Sequence, residues 1–166
     1  MKFEILLSCM NQKDVLIVRK SNINCNVIVV NQCDKDEFVN YENIKIINSK
    51  EKGLSKSRNL AIKNSNADIC LISDDDEVFV DDVEKKIVKA YEDNPEADII
   101  IFKVLNVKNN LGNKKKKLNI FDLLKVSSVQ ISFKKEKIEG KIKFDEKLGS
   151  GTENGAGEEN DFLFKC

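Results

Sequence analysis

The residues best placed to do chemistry lie in "CLISDDDEVF", residues 70–79. An apolar run, Cys70 to Ile72, passes through Ser73 into Asp74, Asp75 and Asp76, and Glu77 adds a fourth acid. Two carboxylates about 5 Å apart repel by roughly 3 kcal/mol at the effective dielectric of a protein surface. Such a run either faces a cation or stands in water. On extended backbone Asp74 and Asp76 point to one side, about 7 Å apart at their Cα atoms. There they can share a hard cation, or one can hold it while the other takes a ligand hydroxyl. Oxygen ligands without His or Cys suit magnesium or manganese. Taken alone, the run reads equally well as a solvated acidic turn that caps the next helix.

The elements that must position these acids are legible as short β-branched runs at 3–8, 26–31, 44–48, 67–73 and 97–104. Several are nearly continuous in apolar residues, as in strands covered on both faces. Helical patterns lie between them. One spans 54–65 after Gly53, with Ser55 as a candidate N-cap. A clearer one spans 81–95, with Asp81 or Asp82 as cap and Pro95 as stop. A weaker one lies near 11–22. The alternation predicts an α/β domain with a largely parallel sheet, whose ligands bind beyond the carboxyl ends of the strands, where Asp74–Asp76 fall. After residue 105 the pattern loosens into a basic loop at 109–119, a short helix at 120–128, and strands at 129–133 and 141–144. The run Lys114–Lys117 in that loop reads as solvated rather than phosphate-binding. A glycine-rich loop follows at 149–157, and "DFLFKC" reads as the start of a further element, so the chain looks cut off there.

Composition narrows the chemistry. The 166 residues make one domain, and a hydrophobic fraction of 41% is enough for a packed core. Lys plus Arg and Asp plus Glu are both 28, so no global field draws in nucleic acid or an anionic membrane. Histidine is absent, which removes His triads, His bases and zinc–histidine sites. Cys9, Cys25, Cys33, Cys70 and Cys166 form no C-x-x-C pair and read as reduced. No apolar run approaches the ~18 residues of a membrane span. A cytoplasmic location is the expectation.

The segment "KGLSKSRNLAIKNSNADICLISDDDEVF", residues 52–79, adds company to the acids. It resembles the family 2 glycosyltransferases of the glycosyltransferase A fold. In that family a G-[VL]-S-x-[AS]-R-N-x-[AG]-I helix leads into a strand ending in an Asp-rich D-x-D element. The match runs through Gly53, Leu54, Ser55, Ser57, Arg58, Asn59, Ala61 and Ile62. "ILLSCMN" (5–11) stands in the place of the first strand, with Asn11 matching and Ser8 replacing the usual proline. "VIVVNQCDKD" (27–36) stands in the place of the second, with Asn31 and Gln32 replacing the usual Asp pair. "FDEKLGSGTENGAGEEN" (144–160) resembles the late acceptor-side segment, with Glu158 and Glu159 in place of Glu-Asp.

The resemblance implies a Rossmann-like glycosyltransferase A fold, with a central, mostly parallel mixed sheet flanked by helices. Residues 1–166 would be one catalytic domain, 1–105 binding the nucleotide sugar and 106–166 facing the acceptor. It implies transfer from a nucleotide-diphosphate sugar to an acceptor hydroxyl with inversion, in surface-polysaccharide synthesis. A UDP-sugar is the expected donor, since an amide offers a uracil edge both donor and acceptor. The acceptor would be a carbohydrate or a lipid-linked one, with peripheral membrane association left open. Mn2+ or Mg2+ would sit on Asp75 or Asp76, with Asp74 on metal or ribose. Glu159 would be the base, with Glu158 in reserve, and Asn11, Asn31, Gln32 and Arg58 would position the donor. Plainer roles stand beside these: Asn11 as a helix cap, Arg58 as a surface residue, and the two glutamates as first-turn acids. A non-catalytic nucleotide- or sugar-binding domain of the same fold is the alternative. A phosphoryl-transfer receiver domain fits less well, because no lone acceptor Asp with a partnering Lys is placed at other strand ends.

Overall fold

A computed structural model describes residues 1–105, 111, 115–152 and 154–166. Lys114 and most of the 109–114 stretch of the expected basic loop lie outside the described residues. Among the described residues seven strands form one sheet in the order β3-β4-β2-β1-β5-β7-β6. β1 (Phe3–Met10) lies between β2 (Val27–Gln32) and β5 (Ile69–Ser73), parallel to both, and β4 (Ile44–Ser49) runs parallel to β2. β3 (Glu37–Tyr41), β6 (Ile99–Ile101) and β7 (Ile131–Lys134) are antiparallel to their neighbours. β1, β2 and β5 are buried on both faces, which is why they read as near-continuous apolar runs, while β4 is buried only over its second half. The sheet is mixed and flanked by helices, as expected.

Alternate residues divide the core. Leu6, Ile28, Val30 and Ile72 face α2 (Leu54–Asn64), whose Ala61 and Ile62 pack on them together with Phe133, Phe144 and Phe162. Ile5, Leu7, Val29 and Leu71 face the other side, against Ile17 of α1 (Leu16–Lys20) and Ile87 and Tyr91 of α3 (Val83–Glu92). The remaining helices are α4 (Ile120–Leu123), α5 (Lys135–Ile138) and α6 (Glu158–Phe164), and Ser128–Gln130 form a 3-10 turn.

Three local expectations give way to other arrangements, and one strand is unexpected. Gly53, at φ +125°, occupies the N-cap of α2, and Ser55 is buried one position inside the helix proper. Asp82 stands at the N-cap of α3 in a left-handed conformation without a side-chain cap bond, and its carboxylate pairs with Lys85 at 3.0 Å. Residues 141–144 are not a strand: Phe144 stacks on Phe162 at 4.2 Å, so the apolar alternation there reflects packing against α6. β3 was not anticipated. It is an edge strand exposed on most of its length, and it lacks the apolar run that marks buried strands.

Candidate active site

Register brings the carboxyl ends of the parallel strands together: Met10 is opposite Gln32, Gln32 is opposite Ser49, and Leu7 is opposite Ser73. β5 ends at Ser73, and Asp75 and Asp76 form a turn. The backbone is therefore not extended there, and Asp74 and Asp76 do not alternate along a strand. Glu77 folds back instead. Its Oε2 accepts the Asp74 backbone N–H at 2.6 Å and the Ser73 hydroxyl at 3.2 Å. Burial pushes the Glu77 carboxyl up to about 7; the Asp74 N–H opposes this, and the charges of Asp74 and Asp76 reinforce it. The fourth acid of the run is thus an internal brace of the turn, while Asp75 and Asp76 stand exposed.

Asp74 is half-buried and belongs to Arg58. The Arg58 side chain is fully buried. Its Nη2 donates to Asp74 Oδ1 and Oδ2 at 3.1 and 3.2 Å and to Ser128 Oγ at 2.8 Å, and its Nη1 donates to Glu158 Oε1 at 2.9 Å. The guanidinium carbon lies 5.4 Å from the centre of the Phe144 ring. A buried cation is tolerable only with close charged partners, and here two carboxylates supply them. Burial raises the Asp74 carboxyl above its ordinary value, and the charge and hydrogen bonds of Arg58 oppose that rise. Arg58 is therefore no surface residue. It ties the strand-end acid to the first residue of α6. Ser128 completes this cluster, and no motif in the sequence signals it.

The same helix face fixes the glycine-rich segment. Ser55 Oγ donates to the Leu148 carbonyl at 2.8 Å, and Leu54 N–H donates to the Ser150 carbonyl at 3.1 Å. The Asn59 amide makes a reciprocal pair with Phe144: Nδ2 donates to its carbonyl, and Oδ1 accepts its N–H, both at 2.9 Å. Gly149 sits at φ +95°, and a Cβ there would lie 3.1 Å from Glu158 Cδ and 3.3 Å from Ser55 Oγ. Only glycine suits that conformation and that space. Glu158 is buried against Arg58, whereas Glu159 is half-buried. Burial and the neighbouring Glu158 raise the Glu159 carboxyl above its usual value, and the charge of Arg58 opposes this.

At the ends of β1 and β2 the expected amides are engaged within the protein. Asn31 Nδ2 donates to the Gln12 carbonyl and to Asn48 Oδ1, both at 2.8 Å, and its Oδ1 accepts the Gln12 N–H at 2.9 Å. Gln32 Oε1 accepts the Gly53 N–H at 2.7 Å, holding the entry of α2. Asn11 is exposed at φ +52°, outside α1, with its N–H donated to the Gln32 carbonyl, so it does not cap that helix. Asn11 and Gln32 lie at the strand ends as expected, and Asn31 organises the loop beneath them.

Among the described residues no group of three or more acids, cysteines or histidines is ready to hold a metal ion. The donor chemistry nevertheless fits a hard divalent cation. Asp75 and Asp76 are exposed carboxylates beside a third, Asp74, and magnesium commonly uses one or two carboxylates together with substrate phosphates. Burial raises Asp74 and Glu77, the neighbouring carboxylates add to that rise, and both effects would be relieved by added positive charge.

Residues 4–154 match the family described as glycosyl transferase family 2. A Haemophilus influenzae protein described as an uncharacterized glycosyltransferase is 28% identical over 89 residues, covering 51% of this chain and 30% of its own length. The fold superposes on S. aureus TarS 1–349 in complex with UDP-GlcNAc with a TM-score of 0.74 at 18% identity, covering 98% of this chain and 54% of that one. The complex of the same protein with UDP gives 0.72, also at 18% identity, over 99% and 54%. The chain thus spans about half the length of these structures and less than a third of the curated relative. Among the described residues no helix is long and apolar enough to cross a membrane.

Proposed function

The chain belongs to glycosyl transferase family 2, and from that membership we propose that it transfers a sugar from a nucleoside-diphosphate sugar to an acceptor hydroxyl, with inversion. The observation that carries this reading is the Arg58 cluster, which joins the acidic turn after β5 to the Glu158–Glu159 end of α6. A donor-binding feature and a candidate base thereby share one rigid support. A UDP-sugar is the donor of choice, supported by the UDP and UDP-GlcNAc complexes of the structural neighbour. The acceptor would be a carbohydrate or lipid-linked hydroxyl, and surface-polysaccharide synthesis is the setting this reading favours.

Asp75 and Asp76 would hold Mn2+ or Mg2+, which neutralises the departing diphosphate. Arg58 keeps Asp74 oriented and frees the two exposed acids of the turn for ligand. Gln32 and Asn11 border the donor at the strand ends. Glu159 is the base: it is accessible, and its raised carboxyl is a better proton acceptor than an ordinary one. Glu158 is fixed by Arg58 and serves as its anchor. In-line attack by the deprotonated hydroxyl on the anomeric carbon inverts its configuration.

Calorimetric titration with UDP, in Mn2+, in Mg2+ and in chelator, tests this. Metal-dependent binding that is lost in Asp75→Ala or Asp76→Ala, with melting unchanged, is the expected outcome. Unchanged UDP affinity in both variants would remove the metal role. Donor binding without sugar transfer to any acceptor would favour the non-catalytic reading.

A further inference from the structure

We propose that α4 and the lysines ahead of it form a docking surface for an anionic lipid bilayer. Helices on a globular surface turn their apolar stripe inward, but α4, a single turn, sends only Leu123 among its apolar residues toward the core. Its one acid, Asp122, is buried, while Ile120, Phe121 and the C-cap Leu124 are 60%, 73% and 58% exposed. At about 100° per residue these three fall within one outward arc of roughly 100°. α6 packs against α4 and ends in a further exposed aromatic, Phe164.

Among the described residues lysines dominate the charge around this patch. Lys115, Lys116 and Lys117 are exposed directly before the Asn119 cap, and Lys125 is exposed directly after Leu124. Asp122 is neutralised from within by Lys116 at 2.9 Å, and Asp161 of α6 pairs with Lys165 at 2.5 Å. Behind the lysines, between them and β6, opens a cavity of about 1020 Å³ with Leu118, Leu123, Ile138 and Leu163 in its wall. Apolar side chains flanked by lysines are what an anionic interface attracts: the rings and alkyl groups enter the headgroup region, and the lysines meet the lipid phosphates. A second copy of the chain is a poorer occupant. A two-fold contact through this patch would set lysines of one copy near those of the other.

Co-sedimentation of the full chain with vesicles tests the assignment without reference to sugar transfer. Retention on phosphatidylglycerol-rich vesicles, little retention on pure phosphatidylcholine, and release by high salt are expected. The double substitution Phe121→Ser, Leu124→Ser weakens retention more than about tenfold, since it removes the apolar area that enters the lipid. Lys115→Gln with Lys117→Gln removes the preference for the anionic lipid. All four side chains are exposed, so thermal melting stays at the wild-type value. Absence of retention on phosphatidylglycerol, or equal retention of the double variant, overturns the proposal. So does a concentration-dependent dimer in lipid-free solution that Phe121→Ser, Leu124→Ser abolishes, which would make this face an interface between copies.

Discussion

Arg58 brings a full charge into a place without water, and its partners decide whether that is tolerable. With Asp74, Glu158 and Ser128 in place it is. Arg58→Ala leaves a buried Glu158 and a half-buried Asp74 without their cation. The expected loss is about 3–5 kcal/mol of stability, read by chemical denaturation, with Arg58→Lys recovering only part of it. Glu77 gives a pH signature of its own. Its folded value of about 7 lies above the ordinary 4.5, so between those values the folded chain binds the extra proton. Stability therefore falls as pH rises through that window. In chelator, Glu77→Gln narrows the gap between melting temperatures at about pH 5 and about pH 8. Asp74 and Glu159 are shifted the same way, so the gap shrinks and does not vanish. An unchanged gap would place the origin of the pH dependence elsewhere. At this scale the sequence made Arg58, Asp74 and Glu158 visible as a motif, but not as one cluster. Their separation along the chain hides it, and Ser128 carries no local signal at all.

Among the elements, α2 has the largest share in the site, because one face holds three separate parts of the molecule. Asn59 grips Phe144, Ser55 and Leu54 grip the 148–150 loop, and Arg58 grips α6. Gly149 is the tightest point of that contact. Gly149→Ala puts a methyl against Glu158 and Ser55 and forces a side chain into positive φ. A loss of about 1–3 kcal/mol is expected, with reduced sugar transfer, while UDP affinity changes little. A variant with wild-type melting and transfer would show that the loop has room to shift. The buried strands and α2 were readable from their apolar runs and flanking glycine. β3 was not, since an exposed edge strand is held by its backbone and by the hairpin with β4, and Glu37 and Asn40 break up its Phe38, Val39 and Tyr41. Residues 141–144 misled for the opposite reason: side chains that pack on α6 imitate the alternation of a strand.

At the level of the whole molecule, the two parts of the chain are interleaved. β7, from the second part, lies between β5 and β6 of the first, and among the described residues β6 pairs only with β7. Phe133, Phe144 and Phe162 complete the core over α2. A fragment ending at residue 105 therefore lacks both the partner of β6 and much of one core face. It is expected to show no cooperative unfolding transition, whereas residues 1–166 show one, by far-UV circular dichroism in urea. A cooperative transition in the short fragment would mean that the first part folds by itself. The interleaving also has a consequence in time. During synthesis β6 leaves the ribosome about thirty residues before β7, a wait of roughly 2–6 s at about 5–20 residues per second. For that interval the nascent sheet has a second bare flank at β5, beside the permanent edge at β3, and it stays open to strand addition until β7 arrives.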